Sequence, residues 1–70
     1  MRATDLLRRL RRRATRLGLE HEELPGKGSH VKILHGGRRT VVPLHGGDLA
    51  VGTYRSILRM LGLSEKDLEG

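Results

Sequence analysis

Gly28-Ser29-His30-Val31-Lys32-Ile33-Leu34-His35-Gly36-Gly37-Arg38-Arg39-Thr40-Val41-Val42-Pro43 is the stretch that decides the fold. The runs His30 to His35 and Arg39 to Val42 are β-rich and flank a glycine pair, the pattern of a tight hairpin. Pro43 has no N–H to donate, so it ends the second run or marks it as an edge strand. Side chains alternate faces along a strand, which puts Val31 and Ile33 on one side and His30 and Lys32 on the other. Leu34 falls on the His30 side and Val41-Val42 are both apolar, so the alternation leaves open which valine faces the core.

Upstream, Leu6, Leu7, Leu10, Ala14 and Leu17 recur at helical spacing after Thr4-Asp5, and Gly18 stands where a helix ends. The other face of this helix carries Arg8, Arg9, Arg11, Arg12, Arg13 and Arg16. A solvated polar face accounts for them as well as a nucleic-acid contact does, and no site is assigned there. Leu19 to Leu24 reads as a further strand stopped by Pro25, followed by the turn Gly26-Lys27-Gly28, whose glycines permit close approach of another chain. Downstream of the loop His45-Gly46-Gly47-Asp48, the residues Ala50, Tyr54, Ile57, Leu58 and Leu61 form a second helical stripe. It ends at Gly62, with Leu63 placed for the apolar contact of a Schellman motif. Ser64-Glu65-Lys66-Asp67 resembles a capping box opening one last short turn toward Leu68. The predicted order is α-β-β-β-α in the α+β class. It is a single domain over residues 1–70, with a three-stranded antiparallel sheet, both helices on one face, the other face open, and a short C-terminal turn.

The chain has 70 residues, no cysteine and a net charge of +6 from 14 Lys and Arg against 8 Asp and Glu. A domain this short buries only about 60% of the surface its unfolded chain exposes, and without cysteine neither disulfides nor thiolate zinc can supplement its core. The apolar runs fall far short of the roughly 20 residues that span a bilayer, and arginines interrupt the N-terminus where a signal peptide would be apolar. A soluble cytoplasmic protein is expected, with no membrane partner. Eleven of the cations are arginine, whose planar fork fits phosphate oxygens, so the expected partner is anionic. Tyr54 is the only aromatic. Aromatic platforms for stacked bases are therefore absent, and backbone recognition is favoured.

Gly28-Ser29-His30, the segment from Gly36-Gly37 through Pro43-Leu44-His45, the step Asp48-Leu49, and the run from Gly52-Thr53-Tyr54 through Gly62-Leu63-Ser64 together resemble the HicA toxin family of bacterial mRNA interferases. The likeness covers most of the chain from Arg8 onward, in order and with short spacings. It implies a double-stranded-RNA-binding-domain-like fold, cleavage of mRNA, and neutralisation by a HicB-type antitoxin, with His30 at the position of the family's catalytic histidine. The chain departs from the family at Ala50, where proline is frequent in the first turn of the second helix. Alanine is a good helix former, so that helix is expected to survive.

RNA carries its own nucleophile in the 2′-OH, so cleavage needs in-line geometry, a base, an acid and cations for the developing charge. Histidine, whose ordinary pKa lies near about 6.5, supplies proton transfer in both directions at neutral pH. His30 is the candidate catalytic residue, and Lys27, Gly28, Ser29, Lys32, Arg38 and Arg39 are the candidate substrate contacts. A second proton carrier is left open among His35, His45, lysine and solvent. A metal site built from His30, His35 and His45 is disfavoured, because the spacing matches no recognised ligand pattern, and no cofactor is expected. His21 reads as a surface residue in an acidic stretch, and His45 as a structural hydrogen-bonder. The competing functional class is a non-catalytic RNA- or DNA-binding module of the same fold. A protein-binding adaptor is disfavoured by the arginine content.

Overall fold

The computed structural model describes residues 1–44 and 46–69, so His45 lies outside the described residues. Helix α1 spans Ala3–Leu17, strands β1, β2 and β3 span His21–Pro25, His30–His35 and Arg38–Pro43, and helix α2 spans Val51–Leu61. A 3₁₀ turn follows over Glu65–Leu68. The strands form one antiparallel sheet in the order β1-β2-β3.

Chain chemistry accounts for each boundary. Gly36 and Gly37 take φ of 58° and 82°, the left-handed conformation that a two-residue type I′ turn requires at both central positions. This turn locks the register, with His35 opposite Arg38 and Val31 opposite Val42. The first strand begins at His21 rather than at Leu19, because the Leu19 N–H is committed to the Ala14 carbonyl at 2.8 Å and closes the end of α1. Helix α2 starts after Ala50, whose extended ψ of 146° turns the chain into the helix without a proline. Ser64 donates from its backbone N–H to Asp67 Oδ2 at 2.7 Å, which opens the final turn and holds the Asp67 carboxyl below the usual carboxylate range.

Burial resolves the strand alternation. Val42 is 0% exposed and Val41 47%, so Val42 joins Ile33 on the inner face. Leu6, Leu7 and Leu10 of α1, Ile57, Leu58 and Leu61 of α2, and Leu68 pack on that face as one apolar core. Both helices thus cover one side of the sheet. Leu17, though on the apolar stripe, is 51% exposed. Leu17 is the last residue of α1, beyond Ala14, the final buried position of the helix. No described helix is long and apolar enough to cross a membrane.

Candidate active site

The outer face of the sheet is uncovered by helix, and its side chains fall in transverse rows set by the register. His30 opposite Pro43 begins the series, Leu24, Lys32 and Val41 make the next row, and Glu22, Leu34 and Arg39 the one after. Successive rows are two residues apart, about 7 Å. His30 is exposed at the start of β2, behind the turn Lys27-Gly28-Ser29. Its ring Nδ1 lies 3.2 Å from the Lys27 carbonyl oxygen, which accepts only from an N–H. In the neutral ring the proton is thereby assigned to Nδ1 and the lone pair to Nε2.

The backbone around His30 is held closely. Gly26 N–H donates to the His30 carbonyl at 2.9 Å, His30 N–H to the Lys27 carbonyl at 3.1 Å, and Leu44 N–H to the Ser29 carbonyl at 2.7 Å. A Cβ on Gly26 would sit 2.8 Å from the His30 carbonyl oxygen, so only glycine fits against the strand there. Gly28 adopts φ 58° at the tip of this turn. Lys27, Gly28 and Ser29 are therefore the scaffold of the histidine as well as its neighbours in sequence.

Of the residues singled out from the sequence, Lys32 and Arg39 share the outer face with His30, one and two rows along. Arg38 does not. It pairs with His35, on the inner-face parity, and its guanidinium lies against Gly62, where a Cβ would be 2.9 Å from Cζ. That position is the C-terminus of α2, whose unpaired carbonyls attract a cation. His35 is also on the inner face, 1% exposed, and so is separated from His30 by the sheet itself. The two cannot share a metal ion or a scissile phosphate. Among the described residues no group of three or more His, Asp or Glu is arranged to hold a metal ion.

The inner-face imidazoles instead belong to a network that sequence reading missed. Arg13 Nη1 lies 2.9 Å from His35 Nε2, His35 Nδ1 lies 3.0 Å from His21 Nδ1, and His21 Nε2 lies 2.7 Å from Glu23 Oε2. Arg11 completes the chain with a bidentate pair to Glu23, both contacts at 2.6 Å. The Arg11 guanidinium holds the Glu23 carboxyl below its usual range, and burial lowers the pKa of His35, assisted by His21 and Arg13. The available signal was parity, since His35 lies two residues beyond Ile33 on the inner face of β2, whereas its partner His21 is set by the register of β1.

The family model for the HicA toxin of bacterial toxin-antitoxin systems matches residues 7–63. The chain belongs to the HicA toxin family. It is 44% identical over 41 residues to a protein of Pseudomonas fluorescens (strain Pf0-1) named "Probable mRNA interferase HicA", a match covering 57% of this chain and 68% of that protein. The matched span includes His30 with its glycine turn, all three strands and α2.

Proposed function

We propose that this chain is the toxin of a type II toxin–antitoxin pair, an endoribonuclease that cuts mRNA with His30 as its proton-transfer residue and a HicB-type antitoxin as its inhibitor. The observation that carries this reading is the His30 imidazole at the mouth of an open sheet face, its Nδ1 proton committed to the Lys27 carbonyl at 3.2 Å. Family membership and the name of the Pseudomonas relative support it. Neutral His30 takes the 2′-OH proton on Nε2, and the 2′-oxygen attacks phosphorus. The 5′-oxygen then leaves, taking a proton from water or from a lysine ammonium on this face. The products are a cyclic phosphate and a 5′-hydroxyl. Lys32 and Arg39 neutralise the phosphate charge. The antitoxin covers His30 and Lys32 and sets carboxylates against the basic surface, so that blocking the site and pairing charge are one event.

The test is cleavage of single-stranded RNA by purified protein in EDTA, beside the His30→Ala protein. Cutting that persists in EDTA, spares a substrate with deoxyribose at the scissile nucleotide and disappears in the variant is the expected result. Variant activity equal to the parent's overturns the assignment, and binding without cutting moves the chain to the non-catalytic class.

A further inference from the structure

We propose that the outer sheet face holds one unstacked nucleobase of the RNA in an aliphatic groove beside the cut, and that Glu22 at its rim selects bases bearing an exocyclic amino group. The inference rests on the ribonuclease reading and adds a specificity subsite to it. The groove, about 800 Å³, is lined by Leu24, Lys32, Leu34, Arg39 and Val41 of the sheet and by Met60 of α2, with Glu22 at one side. Leu24, Val41 and Met60 are 52%, 47% and 59% exposed. Leu24, Leu34 and Val41 lie on the face that carries His30, in the two rows that follow it, and Met60 joins them from α2.

The character of the groove matches a nucleotide. A scissile phosphate at His30 leaves the adjoining chain to run along β2, where cations stand one row and two rows away, about 7 and 14 Å along. Lys32 lies between Leu24 and Val41, and Arg39 beside Leu34, so each cation adjoins an apolar surface. Phosphate goes to the cation and the flat face of the base to the aliphatic floor. Tyr54 is the only aromatic in the chain and does not line the groove, so Leu, Val and Met take the place of a stacking platform.

Glu22 gives the subsite its direction. An ionised carboxylate only accepts hydrogen bonds and repels phosphate, so the group it meets must be a donor on a base edge. Adenine, cytosine and guanine offer an exocyclic amino group, whereas uracil has only its ring N3–H, set between two carbonyl oxygens that repel the carboxylate. Such an edge is within reach only when the base is unpaired, so the subsite also favours single strands over duplex.

The experiment measures binding of the His30→Ala protein, which holds RNA without cutting it, to fluorescent single-stranded oligonucleotides. The strands are rich in adenine, cytosine or uracil, and a fourth has the same phosphates but abasic sugars. One charge-assisted hydrogen bond predicts about tenfold tighter binding of adenine- or cytosine-rich strands than of uracil-rich strands. Adding Glu22→Ala should bring the three within about twofold. Leu24→Ser and Val41→Ser, at positions already half exposed, should weaken binding of base-bearing strands and leave the abasic strand unchanged. Equal affinity of abasic and base-bearing strands, or a base preference that survives Glu22→Ala, overturns the subsite. Groove variants that bind every RNA normally but fail to capture the antitoxin assign the face to the protein partner and also overturn it. Failure of the ribonuclease reading is separate, because it appears as absence of cleavage by the chain with His30 intact.

Discussion

Replacing His35 by leucine tests the inner-face network and its sensitivity to acid together. Arg13 carries only donors, so His35 Nε2 must accept from it, and the His35 proton sits on Nδ1. Nδ1 then donates to His21 Nδ1, which places the His21 proton on Nε2 facing Glu23. Every link requires both rings neutral. Burial, assisted by the charges of His21 and Arg13, lowers the folded pKa of His35 from its ordinary 6.5, burial being the largest cause. The unfolded chain consequently takes up a proton at this residue before the folded one does. The stability it contributes is complete above about pH 6.5 and is lost as pH falls toward the lowered folded value. Glu23 and Asp67, both held below the usual carboxylate range, titrate in a lower window. In His35→Leu the side chain of His21, 10% exposed, loses its Nδ1 partner, a cost of about 1–3 kcal/mol. Arg13 is only partly buried and rehydrates, while leucine retains the apolar burial. Against a total stability of about 4–10 kcal/mol for a chain of this size, the melting temperature should fall by several degrees or more at pH 7.5. Urea melts at pH 7.5 and 5.0 provide the assay. The parent should lose stability on acidification and the variant much less. A parent equally stable at both values, or a variant that keeps the full acid loss, refutes the neutral-pair reasoning.

Two further outcomes follow from the placement of the site. The logarithm of RNA affinity should fall with the logarithm of salt at about −0.7 per phosphate neutralised. Lys32→Ala and Arg39→Ala should each flatten that slope by about one phosphate's worth in salt-titrated binding, while Arg38→Ala, directed at the end of α2, should leave it unchanged. Gly26→Ala introduces a Cβ 2.8 Å from the His30 carbonyl and should lower the cleavage rate at least tenfold with RNA affinity nearly intact, read from single-turnover kinetics against binding. Unchanged single-turnover rates would show that this turn does not position the histidine.

Local patterning determined the elements of this protein. A two-residue glycine turn between β-rich runs, leucines at helical spacing and capping residues at the ends are short-range signals, and each acts wherever the chain goes. The strands, both helices and the final turn were legible for that reason, as was the placement of His30 and Lys32 on one face, which follows from the period of two. Pairing of β1 with β2 was not legible, because that register joins residues as far apart as His21 and His35. Only tertiary structure chose Val42 over Val41, since consecutive apolar residues carry no parity of their own. It also put Arg39 on the outer face and Arg38 at the end of α2, since alternation separates adjacent residues without saying which of them points outward. His21 read as a surface residue within an acidic stretch, and its partnership with His35 exists because the register sets them opposite each other beneath α1. The aliphatic groove beside His30 is likewise a property of the assembled sheet. Leu24, Leu34 and Val41 come from three strands, and their side chains meet only when the strands pair.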